Sequence, residues 1–253
     1  MAGKDQDKDV ERGSSPASRG GAGTYIEGEL GAFYLLSMLA DIPAHGLPGA
    51  RIAKVRFQGS DLGYKLDDLI IHGVSPSGDA LLEIQSKRDI TFLPGDRVYR
   101  DVAEQIAKSE STEVAEGRHF LGIATQRTDR RISGAYQDVL RWATRAENAT
   151  EFFKRLNAKG VGSDDMRKFI ATSRTNLVAA GVEDDDDVIW RILRRLLILE
   201  FDFESTAPLA RTYGVMLAQQ VLADEETERA GHGQYCAHEH RCATEPTQSK
   251  CTS

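Results

Sequence analysis

The residues best suited by type to do chemistry lie between Tyr64 and Ile90, in the stretch YKLDDLIIHGVSPSGDALLEIQSKRDI. Two apolar runs, DDLIIHGV and DALLEIQSKRDITF, flank Ser75-Pro76-Ser77-Gly78. That tetrapeptide is a tight-turn sequence, so the runs are expected to pair as a hairpin. With the turn closing at Pro76-Ser77, Ser75 opposes Gly78, Val74 opposes Asp79, and Asp68 falls opposite Gln85. Opposed side chains share one face of a sheet, and period-two alternation adds Glu83 and Lys87 to that face. Asp67 points to the other face, beside Leu69, Ile84 and Ser86. A β-bulge would shift this register.

A carboxylate and an amide oxygen are hard ligands suited to Mg²⁺, which keeps several waters and takes further ligands from substrate phosphate. A lysine beside them can stabilise negative charge developing on phosphorus or position an attacking water. Together they are what metal-dependent phosphodiester hydrolysis needs. The same residue types also describe the wet face of an ordinary antiparallel hairpin. Two features favour chemistry: the polar groups interrupt otherwise apolar strands, and a helix and a further strand follow, which makes the hairpin central in its sheet.

The elements that must position these residues can be read from hydrophobic spacing. Ile26, Leu30, Phe33, Leu36 and Leu39 predict a helix over about Thr24 to Ala40, with Thr24 as N-cap and Glu27 as its capping-box partner. DIPAHGLPGA breaks it. RIAKVRFQ reads as a first strand before the hairpin. A helix over about Arg97 to Ser109 and a fourth strand, HFLGIATQ, follow, giving an α/β core. From Ile132 to Ala223 every segment reads as helix, including VIWRILRRLLILEF. Ser163-Asp164-Asp165 and the acidic run Glu183 to Asp187 sit at expected helix starts, where negative charge suits the dipole.

Residues 1–22 and 224–253 carry almost no large aliphatic groups and read as a disordered arm and tail. The segments between them divide into 23–131, the α/β core, and 132–223, a helical extension. The chain has 253 residues and a formal net charge of −7, so any nucleic-acid contact must come from a local basic patch rather than from a generally basic surface. No apolar run reaches the roughly 20 residues of a membrane span, and the N-terminus has no signal-peptide core. The three cysteines, Cys236, Cys242 and Cys251, lie in the tail and cannot staple a core, which favours a cytoplasmic setting.

A helix bearing a glutamate, a strand, Asp68 on a second strand, Gln85-Ser86-Lys87 on a third, then helix and strand: this order resembles the PD-(D/E)xK restriction-endonuclease-like superfamily, with its αβββαβ core. Glutamine in the acidic position is similar to the Mrr-like Q-x-K branch. The lead-in GTYIEGELGAFYLLSML and the pair LDDL…LLEIQSKR look most like the N-terminal double-stranded-DNA nuclease domain of bacterial antiphage effectors. The resemblance covers roughly residues 22–223, and the order of elements carries most of its weight. It implies a DNA endonuclease using Mg²⁺, with Mn²⁺ as an alternative. Asp68 and Gln85 would hold the metal, Lys87 would be the catalytic lysine, and Glu29 would match the acidic residue that often completes the metal site. Glu83 is the alternative second ligand. The partners implied are double-stranded DNA and a nucleotide-sensing or NTPase module; none follows in the chain, which would be a stand-alone nuclease or a truncated effector. No membrane partner is implied, and nothing in the sequence decides whether the chain cuts as a homo-oligomer.

Other features carry less. Arg127, Arg130, Arg131, Arg141 and Arg145 are candidate phosphate contacts or plain helix-surface charge. Arg191, Arg194 and Arg195 are expected to balance the acidic run. Cys236, His238, His240 and Cys242 alternate too strictly for a usual zinc site, and His72 reads as a strand histidine near Asp68. The rival functions are an idle DNA-binding or adaptor module of the same fold, a nucleotide phosphohydrolase, and an interaction protein.

Overall fold

The computed structural model describes residues 16–110, 118–126, 129–203 and 208–223, with side chains from Ile26 onward. Its elements run α1 (Pro16–Leu39), β1 (Arg51–Phe57), β2 (Leu69–Val74), β3 (Ala80–Ser86), α2 (Arg97–Glu110), β4 (Arg118–Thr125), α3 (Gln137–Arg145), α4 (Ala149–Asn157), α5 (Asp164–Ala179), α6 (Asp186–Leu193), β5 (Leu196–Glu200) and α7 (residues 209–223). A π-helical turn, Ile132–Tyr136, leads into α3. The described residues thus form a mixed α/β fold with seven α-helices and one five-stranded open sheet.

The sheet is ordered β1-β2-β3-β4-β5. The first three strands are antiparallel neighbours, and β4 and β5 join in parallel. The hairpin closes as its sequence dictates. Gly78 donates its N–H to Ser75 O at 3.0 Å, and Gly78 takes φ 108, a conformation open to glycine. Arg118 at the start of β4 clamps the turn, donating to Ser75, to Ser77 Oγ at 2.6 Å and to Pro48 O at 3.1 Å. Leu69 pairs with Ile84 and Ile70 with Glu83, the register expected from the turn.

Alternation sorts the strand residues into two apolar layers. Leu69, Ile71, Leu82 and Ile84 pack under α1 against Leu30 and Tyr34. Leu121 and Ile123 face α2–α6, in a layer that includes Phe169, Trp190 and Ile192. Residues expected in the helical extension therefore share a core with the first half of the chain.

Two expected elements differ from those observed. The helix expected to begin at Thr24 begins at Pro16, where proline's fixed φ suits a first helical turn. Glu27 is then mid-helix rather than a capping partner, and residues 16–22 of the expected arm are helical. Residues 1–15 and 224–253, with the Cys236–Cys242 cluster, lie outside the described residues. The segment VIWRILRRLLILEF is not one helix: α6 ends at Leu193, and LLILE is a strand. In β5, Leu196 and Ile198 enter one core layer and Leu199 the other. A parallel strand buried on both faces is a continuous apolar run, which spacing alone does not separate from a buried helix.

The acidic runs do cap helices. Ser163 Oγ accepts from Met166 N at the start of α5, and Asp185 accepts from Asp187 N and Val188 N at the start of α6. Arg174 pairs with Asp184 and Asp186 of the second run, each at 2.5 Å. Arg194 lies over the Trp190 ring.

Candidate functional site

The candidate site lies where β2 and β3 separate. Leu69 and Ile84 form the last regular pair of the hairpin. Beyond them β2 stays on β1, because Gln58 N donates to Asp68 O at 3.2 Å and Gly59 N to Asp67 O at 2.8 Å. A Cβ on Gly59 would stand 2.7 Å from the Tyr64 ring and 2.9 Å from Ile70, so this crossing needs glycine. Strand β3 meanwhile stays on β4, with Lys87 N donating to Ala124 O at 2.8 Å. The gap is bridged by a side chain. Asp68 Oδ2 accepts from Ser86 N at 2.7 Å and from Gln85 Nε2 at 2.6 Å.

This arrangement leaves one oxygen without a partner. Gln85 is 3% exposed, and its Oε1 is buried with no hydrogen-bond partner. A buried amide oxygen in that state costs on the order of 1–3 kcal/mol unless something donates to it or coordinates it. Beside it, burial raises the Asp68 carboxyl above its ordinary range, against the opposing pulls of the Ser86 N–H and the Lys87 charge. Glu27 on α1 is also raised, first by burial and then by the charge of Asp68, with Lys87 lowering it and Asp67 raising it further. The charges of Asp67, Asp68 and Lys87 therefore all act on Glu27 at this end of the sheet.

Asp68, Gln85 and Lys87 are thus brought together. Glu29 is not with them: it faces Arg211 of α7 at 3.0 Å. Residues two apart on a helix point about 200° from one another, so only one of Glu27 and Glu29 can face the sheet. What separates them is which stripe of α1 meets the sheet. Glu27 lies on the stripe continued by Leu30, Gly31 and Tyr34, which packs on the sheet, with Gly31 against the Phe57 ring.

Glu83, the alternative ligand, has other work. Its Oε2 accepts from Lys65 N at 2.9 Å and Leu66 N at 3.1 Å, and its Oε1 lies 2.8 Å from His119 Nε2. Burial alone would raise its pKa. The His119 and backbone hydrogen bonds outweigh burial and hold the carboxyl below its ordinary range. His72 touches Tyr64 edge-on, with ring centroids 6.3 Å apart. Of the basic residues after β4, Arg131 pairs with Asp129 and Arg141 with Asp138, Arg130 and Arg145 are exposed, and Arg127 lies outside the described residues.

The loop after Lys87 is fixed by Asp96. Its carboxylate accepts from Thr91 N and Oγ1 and from Val98 N at the start of α2. Phe92 sits at φ 59, costly for a bulky residue. Edge contacts with Tyr99, Tyr136 and Phe169 hold it there.

Among the described residues, no trio of His, Cys, Asp and Glu converges tightly enough to hold a metal ion by itself. No described helix is long and apolar enough to cross a membrane. No family model, no curated protein and no solved structure matches the chain.

Proposed function

We propose that this chain is a metal-dependent endonuclease that hydrolyses phosphodiester bonds of double-stranded DNA on a restriction-endonuclease-like core. The observation that carries the reading is the partnerless buried Oε1 of Gln85, beside the Asp68 carboxylate and the Lys87 ammonium. The order α1-β1-β2-β3-α2-β4, with these residues at the separation of β2 and β3, supports the same fold family.

The donor set fits a hard divalent cation. Asp68 and Gln85 Oε1 would hold Mg²⁺ or Mn²⁺, with Glu27 as the nearby carboxylate and water completing the shell. Such a cation lowers the pKa of bound water and polarises a phosphoryl oxygen. The chain's own groups do the rest. Ser86 N–H and Gln85 Nε2 fix one oxygen of Asp68, and the other is the one a cation would take. Lys87 offsets negative charge developing on the phosphoryl oxygens. Glu27, with its proton affinity raised, is suited to take a proton from the attacking water. The sequence resemblance assigns this activity to antiphage defence in the bacterial cytoplasm.

A second reading, an idle DNA-binding or adaptor module, is favoured by one contact. Asp68 Oδ2 is already satisfied internally by Gln85 and Ser86. Incubation of linear and supercoiled plasmid with Mg²⁺, Mn²⁺ or EDTA separates the two. Metal-dependent cutting that falls by about 10²-fold or more in Lys87→Ala supports the nuclease. Cutting that survives Lys87→Ala removes the site from this hairpin, and DNA binding without cutting in either metal supports the idle module.

A further inference from the structure

On strand β1, Lys54 and Arg56 are two residues apart and so share a sheet face. Lys54 pairs with His72 of β2, and Arg56 with Ile70. Ile70 and His72 alternate along β2 on that same face, opposite the one that α1 covers, and Asp68 lies two residues before Ile70, where β2 leaves β3. Arg56 therefore lies about 7 Å, two strand residues, from the level of Asp68 along the sheet.

Neither cation is neutralised. Arg51, Arg131, Arg141, Arg167, Arg174 and Arg211 each face an aspartate or glutamate. Lys54 and Arg56 make no ion pair with any described residue, and the Arg56 Nε is enclosed with no hydrogen-bond partner. Both are close to the imidazole: after burial, their charges are what push the His72 pKa down. Tyr64 packs edge-on against that ring and completes the strip. In a chain of net charge −7, this is local positive potential beside an acidic site.

We propose that Lys54, Arg56 and His72 form a track that holds one strand of a DNA duplex by its phosphates and leads it to Asp68 and Lys87. The track rests on the nuclease reading for its purpose and identifies where the substrate lies. Cations two residues apart on a strand are about 7 Å apart, close to the step between neighbouring phosphates of one strand. Such contacts carry no sequence information, so binding along the track is sequence-independent and weakens with salt.

The test is fluorescence anisotropy of a labelled duplex with the full chain in EDTA across a salt series, comparing wild type, Lys54→Ala/Arg56→Ala and the charge-preserving Lys54→Arg/Arg56→Lys. Circular dichroism checks that each is folded. The alanine pair is expected to bind at least about 10-fold more weakly at low salt, with the slope of log K against log salt reduced by about 2. The charge-preserving pair retains binding. Equal affinity and slope for wild type and the alanine pair overturn the track while leaving cleavage untouched, and would mark these cations as protection of an edge strand. Binding that depends on the track, with no cutting in Mg²⁺ or Mn²⁺, upholds the track and overturns the nuclease reading. A wild type that binds only single-stranded RNA, or no nucleic acid, overturns the track as a duplex contact.

Discussion

Replacing Glu83 should be among the most damaging single changes in the sheet. Glu83 is 4% exposed. Glu83→Ala would strip the acceptor from the N–H groups of Lys65 and Leu66 and leave His119 facing an empty space. Each buried donor left unsatisfied costs about 1–3 kcal/mol, and two backbone N–H groups are left. The expected loss is therefore about 4 kcal/mol, or a fall in Tm of about 10 °C for a chain of this size. Glu83→Gln keeps an acceptor for the two N–H groups and should lose only about 1–2 kcal/mol.

The pH dependence has a definite sign. The folded pKa of Glu83 lies below its unfolded value of 4.5. Its ionised form therefore contributes stability that is full above about pH 4.5 and is lost as pH falls through the lower folded value. The gap between wild type and Glu83→Gln should narrow over that acidic interval. Urea denaturation followed by circular dichroism, at neutral and acidic pH, reads both effects. A Glu83→Ala protein within about 1 kcal/mol of wild type at pH 7 would refute the reasoning.

Other outcomes follow from the same geometry. Glu27→Gln should reduce metal-dependent cleavage by about 10-fold or more, whereas Glu29→Gln, which loses only the contact with Arg211, should stay within about two-fold, as a surface ion pair is worth little; initial cleavage rates on plasmid compare them. Gln85→Glu sets a second carboxylate against Asp68 in place of the 2.6 Å hydrogen bond. It should lower Tm in EDTA and give a larger Tm increase on adding Mg²⁺ than wild type shows. Gly162→Ala would place a Cβ 2.0 Å from Leu156 O. A backbone clash of that kind should cost about 1–3 kcal/mol in thermal unfolding, with no change in metal response.

Much of the hairpin was legible because turn chemistry and alternation agree. Ser75-Pro76-Ser77-Gly78 fixes the register as far as Leu69 and Ile84, and a side-chain hydrogen bond beyond that pair joins Asp68 to Gln85. Two features were hidden for physical reasons. LLILE is buried on both faces, so it carries no alternation to mark it as a strand. Choosing Glu27 over Glu29 depends on which helix stripe meets the sheet. Long-range packing decides that, and the Thr24-Glu27 capping pattern points elsewhere. The work of Glu83 was also invisible, since its partners Lys65, Leu66 and His119 are distant in sequence.

Helix α1 meets the far end of the chain as well as the sheet. Phe33 packs edge-on against Phe201 and lies tilted beside Tyr213, and Glu29 faces Arg211, a separation of 182 residues. Strand β5, whose last residues lead into Phe201, pairs with β4 only after the intervening helices are made. Contacts this far apart in sequence form late, because the loop between them must close first. Helix α1 therefore reaches its full packing only once Phe201, Arg211 and Tyr213 are in place. One flank of α1 is thus seated on residues from the far end of the chain, so changes at Phe201, Arg211 or Tyr213 would reach Glu27 through the helix.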